Sequence, residues 1–105
     1  MIRKAFVMFL NEGQEAEYER RHNPIWPDLQ AALEAHGVRS YSIFLDRETN
    51  RLFAYAEIED EARWAQIAHT EVCRRWWASM KDLMVTNPDN SPRAVELQEV
   101  FHIER

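Results

Sequence analysis

Ile2 to Leu10 is an apolar run of strand length, and Gly13 punctuates it. Alternation puts Ile2, Phe6, Met8 and Leu10 on one side of that strand and Ala5, Val7 and Phe9 on the other. Gln14 to His22 has the look of a short helix that is polar nearly throughout. Ile25 to His36 reads as a second helix with Ile25, Leu29, Ala32, Leu33 and His36 on one face, and Gly37 is a natural stop. Val38 to Leu45 and Leu52 to Ile58 are predicted strands, and the polar "DRETN" between them is a hairpin loop. Asp60 can cap a helix running to about Ala68. Thr70 can cap the next, which carries Val72, Trp76, Met80 and Leu83 in register. "TNPDNSP", Thr86 to Pro92, is a loop. Val95 to Ile103 alternates again and is predicted to be a final strand.

The order is β-α-β-β-α-β with both helical regions split. It predicts an α+β, ferredoxin-like fold: an antiparallel sheet with helices on one face. The strands are apolar or aromatic on both sides. The second offers Val38 and Phe44 against Tyr41, Ile43 and Leu45, and the third offers Leu52, Ala54, Ala56 and Ile58 against Phe53 and Tyr55. One set of helices covers one face only, so the other face calls for a second subunit or a pocket. The expectation is a homodimer whose sheets face each other, a dimeric α+β barrel. A monomer with an exposed aromatic face is the alternative.

Composition narrows this picture. The 105 residues suit a single domain, 1–105, and 46% hydrophobic with 30% charged residues is a globular balance. The net charge of −5 argues against a nucleic-acid binder. No apolar run reaches the ~18 residues of a membrane span. "AFVMFL" is too short for a signal peptide and lacks a cleavage site. The single cysteine, Cys73, rules out an internal disulfide, so a cytoplasmic location is expected.

Two strings carry candidate chemistry. In "YERRHNPIWPDL", Tyr18 and His22 are four apart and share a helical face. They are nearly the whole inward surface of their helix, where Leu or Ile would serve packing alone. A hydroxyl and an imidazole can hydrogen-bond and move protons, although a packed Tyr–His pair would leave the same pattern. Asn23 suits an N-cap and Pro24 the first position of the following helix, which ends the first helix at His22. In "CRRWWASM", Trp76 and Trp77 point about 100° apart on a helix. They are either core or an aromatic platform of the kind that suits apolar sugar faces, and Tyr41 could add a hydroxyl. His36 fits a helix C-terminus. His69 and His102 lack partners at ligand spacing, so no metal site is expected. Cys73 reads as a small core residue. With only two glycines there is no phosphate loop.

"MIRKAFVM", "YERRHNPIWPDL", "CRRWW", "NPDNSP" and "ELQEVF", in this order over nearly the whole chain, resemble the L-rhamnose mutarotase family. The resemblance implies a dimeric ferredoxin-like enzyme that interconverts the α and β anomers of L-rhamnose, with no metal and no cofactor. It implies His22 as proton donor and Tyr18, Tyr41, Trp76 and Trp77 as substrate-binding residues. Under it, His22 gives a proton to the ring oxygen and retrieves it on closure; the base is left open. Two rivals remain at this point. One is a cofactor-free monooxygenase of the same dimeric fold. The other is a non-catalytic sugar-binding module.

Overall fold

The computed structural model describes residues 1–105. Its elements run β1 (Ile2–Phe9), α1 (Glu15–Arg21), α2 (Pro27–Ala35), β2 (Val38–Asp46), β3 (Arg51–Ile58), α3 (Glu61–Gln66), a 3-10 turn (Ile67–His69), α4 (Glu71–Met80) and β4 (Ala94–Leu97). The strands form one antiparallel sheet in the order β2-β3-β1-β4. This is the expected ferredoxin-like α+β architecture.

Register decides which side chains meet the helices. Phe6 faces Ala54 and Met8 faces Leu52, while Tyr41, Ile43 and Leu45 lie opposite Ala56, Ala54 and Leu52. On β3 the inward set Leu52, Ala54, Ala56 and Ile58 is no more than 2% exposed. Two buried clusters grow from it. One joins Met8, Leu10 and Leu52 to Tyr18 of α1, Met80 of α4 and Leu83 and Met84 beyond it. The other joins Val38, Ala56 and Ile58 to Ile67 and Cys73. Each large side chain buried this way contributes about 1.5–3 kcal/mol. The starts of α3 and α4 follow the predicted caps. The Asp60 carboxylate accepts the Arg63 N–H at 2.9 Å and the Thr70 hydroxyl accepts the Cys73 N–H at 3.3 Å, worth about 1 kcal/mol apiece. No helix is long and apolar enough to cross a membrane.

Three expectations need correction. First, α2 begins at Pro27 with Trp26 as its N-cap, not at Pro24 with Asn23. Pro27 holds the preceding residue extended, at φ −57° and ψ 128°. The Asn23 amide instead donates to the Glu19 carbonyl at 2.8 Å, closing the end of α1. Second, β2 does not alternate strictly. The pairing slips by one residue between Val38 and Ser40, a bulge at Arg39. Val38 therefore shares the inner face with Tyr41, Ile43 and Leu45 instead of opposing them. Third, β4 ends at Leu97. The alternation beyond it has no strand to pair with, and Val100, Phe101 and Ile103 stand 76–88% exposed.

Candidate active site

A cavity of about 1040 Å³ opens between the inner face of the sheet and the helices. It gathers Tyr18, His22, Tyr41, Trp76 and Trp77 into one lining, with Phe6 and Trp64 beside them. Ser91 and Pro92 of the 86–92 loop line this chain's own cavity.

α1 supplies the polar wall. Its first turn is acidic and its last turn basic, matching the helix dipole. Tyr18 is its single buried residue. His22 forms the C-cap, and its Nδ1 lies 2.8 Å from the Tyr18 carbonyl. A carbonyl only accepts, so Nδ1 carries the hydrogen and donates. In the neutral ring, Nε2 then bears the lone pair. The imidazole lies against the Tyr18 ring, with centroids 4.3 Å apart and planes 33° apart. Burial holds the His22 pKa below its ordinary 6.5, against the opposing pull of the Tyr18 carbonyl. α1 is held in place by Arg21, whose Nη1 donates to the Ser79 carbonyl at 2.6 Å and pairs with Asp82 at 3.2 Å.

α4 supplies the indole wall. Trp76 meets His22 nearly perpendicular, at 5.1 Å and 89°. Cys73 and Met80 are its buried anchors. Burial pushes the Cys73 thiol up to about 11, so it stays a thiol. The far wall is an aromatic triangle. Tyr41, Phe6 and Trp64 have centroids 5.9–6.3 Å apart. Burial raises the pKa of both Tyr18 and Tyr41, so both phenols remain protonated. At the edge of the cavity Lys4 pairs with Glu96 at 2.9 Å and Glu61 at 3.3 Å. Burial pulls its pKa down, but these carboxylates outweigh it and carry it above the usual range.

No chain atom hydrogen-bonds Nε2 of His22, the hydroxyls of Tyr18 and Tyr41, or the indole N–H groups of Trp76 and Trp77, and none of these atoms is sealed from solvent. Donors and acceptors without partners that line one space are what a polyhydroxylated ligand requires. His36, His69 and His102 do not line the cavity, and no three His, Cys, Asp or Glu side chains come together at metal-binding distance. Alternation marks Phe6 only as a strand residue, and no motif singles out Trp64. Trp64 nonetheless carries a signal, as the only large apolar residue in α3, "EARWAQ".

A model of the L-rhamnose mutarotase family matches residues 3–103. An L-rhamnose mutarotase of Opitutus terrae is 62% identical over 104 residues, covering 99% of this chain and 100% of the relative. The crystal structure of L-rhamnose mutarotase from Formosa agariphila superposes with a TM-score of 0.91 at 44% identity, covering 99% of this chain and 100% of that one. A putative antibiotic biosynthesis monooxygenase from Bordetella bronchiseptica superposes with a TM-score of 0.69 at 14% identity, covering 94% and 96%, which shows a shared fold.

Proposed function

Because the chain belongs to the L-rhamnose mutarotase family, we propose that it is an isomerase that opens and recloses L-rhamnopyranose in this cavity, exchanging the α and β anomers. The observation that carries the mechanism is the clamp on His22. With Nδ1–H committed to the Tyr18 carbonyl, Nε2 enters the reaction as an acceptor.

Nε2 takes the proton of the anomeric hydroxyl. The electrons left on O1 form the aldehyde C=O as the C1–O5 bond breaks. The imidazolium returns the same proton to O5. Since O1 and O5 sit on one carbon, one imidazole serves both, and His22 acts as base and then as donor. Rotation about C1–C2 and the reverse sequence give the other anomer. A positioned group of this kind contributes about 10²–10⁴-fold. The protonated phenols of Tyr18 and Tyr41 donate to sugar hydroxyls, and Trp76 and Trp77 cover the apolar face near the 6-methyl group.

We assign the activity to a homodimer in the cytoplasm. Support for the dimer comes from the outer sheet face, where Phe44, Phe53, Val95 and Leu97 are 37–64% exposed, and from the apolar tail beyond β4. A second copy of the same face is the occupant that buries both, and Phe44→Glu should shift sedimentation toward the monomer. Support for the location is a single buried free thiol.

NMR saturation transfer between the two anomers of L-rhamnose tests the activity. The wild type should accelerate exchange and His22→Ala should not. Binding of rhamnose without acceleration would make this a sugar-binding module. Acceleration that survives His22→Ala would keep the reaction and remove its proton carrier.

A further inference from the structure

One hydrogen bond does not fully aim an imidazole. The Nδ1 contact to the Tyr18 carbonyl fixes the tautomer of His22 and, with the Cβ–Cγ bond, leaves the ring only the small rotations that the hydrogen bond tolerates. Tyr18 closes one side of that rotation at 4.3 Å and Trp76 closes another at 5.1 Å. The direction of Nε2 therefore depends on Trp76 staying where it is.

Trp76 is a partition. It lines the main cavity and also a separate outer cleft of about 560 Å³. Trp26 lines only the outer cleft. It meets Trp76 nearly perpendicular at 5.1 Å and 82°, while His22 meets the same indole from the cavity at 5.1 Å and 89°. Edge-to-face contacts of this kind are directional, because a ring's positive edge seeks a negative face. Trp26 is in turn fixed from behind. Its backbone is held extended by Pro27, and its carbonyl takes the Gln30 N–H of α2 at 3.0 Å. The Arg75 guanidinium lies 5.7 Å from its ring centroid, tethered at 3.1 Å to Asp28.

We propose that Trp26 is a positioning residue for the anomer-exchange reaction: it buttresses Trp76 from the outer cleft, and Trp76 holds His22 Nε2 on its target. Trp26 lies outside the substrate cavity and acts through Trp76, so its loss lowers kcat by misaiming His22 and raises KM only as far as Trp76 itself contacts the sugar. The kinetic consequence rests on the mutarotase reading above. The geometric consequence does not.

The test compares Trp26→Ala, Trp26→Phe and Arg75→Ala with the wild type in two measurements. The first is the NMR position of the His22 ring protons without sugar, which the ring currents of Tyr18 and Trp76 set together. The second is kcat and KM for L-rhamnose exchange. Trp26→Ala should move the His22 resonances and lower kcat by about tenfold, a larger change than any rise in KM; misplacements of an ångström reach ~10²-fold. Trp26→Phe keeps an aromatic edge and should restore most of both. Arg75→Ala should move the same resonances in the same direction by less. If Trp26→Ala fails to fold, Trp26→Phe and Arg75→Ala carry the test, both showing displaced His22 resonances with a loss of kcat that exceeds any change in KM. His22 resonances that stay in place, a kcat that does not change, or a loss confined to KM overturns the proposal. A wild type without exchange activity would sink the mutarotase reading, and the resonances would still decide the geometry.

Discussion

α1 and α4 wall the same cavity and are held there by different forces. α4 is anchored by Cys73 and Met80 in the two buried clusters, and its indoles extend that core to the cavity. α1 buries only Tyr18; its remaining attachments are polar, chiefly Arg21 to the Ser79 carbonyl and to Asp82. Of these two, the helix bearing the proposed proton carrier contributes less to the core. A helix relieved of packing duty can present an imidazole and a phenol inward, where an apolar core would have demanded Leu or Ile.

That contrast predicts a separation of activity from stability. The largest effect belongs to His22→Ala. Anomer exchange should fall by about 10²–10⁴-fold, while thermal denaturation shows a smaller Tm change than any core truncation. Leu83→Ala, in the turn that ends α4, should do the reverse. It empties a site 1% exposed and outside the cavity and should cost about 2–5 kcal/mol in denaturant unfolding, with kcat per folded molecule retained. A His22→Ala variant as unstable as Leu83→Ala would erase the distinction.

Arg21→Ala should fall between them. Losing its bond to the Ser79 carbonyl lets α1 shift against α4, so kcat should drop severalfold while Tm falls less than in Leu83→Ala. The Asp82 partner is largely exposed, and salt screens that part of the contact.

The smallest effect is on pH. Under the proposed mechanism neutral His22 is the competent form, so kcat/KM should be flat near neutrality and fall as pH drops through a pKa below 6.5. Folding stability follows the same sign. The unfolded chain binds more protons between the depressed folded pKa and 6.5, so stability is complete above 6.5 and declines across that window as pH falls. Both limbs should disappear in His22→Gln; a pH profile unchanged by that substitution would separate the titration from His22.

How much of this was legible in the sequence varies with the kind of signal. β1 and β3 alternate without interruption, and their inward faces came out as read. The end of α1 at His22 was legible because a proline follows so closely. The start of α2 was not. Two prolines compete for the first helical position, and only the backbone shows that Pro27 takes it. The bulge in β2 escaped because a period of two has no means of registering one extra residue. The tail beyond Leu97 alternates as a strand should, but alternation says nothing about a partner. Trp26 stayed hidden because its role comes from packing across α2 and α4, which no spacing within one helix reveals.

The bulge at Arg39 has a consequence for chain length. In an ordinary strand, adding or losing one residue exchanges its two faces. On β2 one surplus residue is already absorbed beside Val38, which acts as a phase shifter between that residue and Tyr41. Deleting Arg39 would restore plain alternation and still leave Tyr41, Ile43 and Leu45 turned inward. A single deletion between Tyr41 and Leu45 would instead turn part of that row toward the outer face. The strand thus has one place where its length can change without turning that row away from the cavity, and that place lies just upstream of Tyr41.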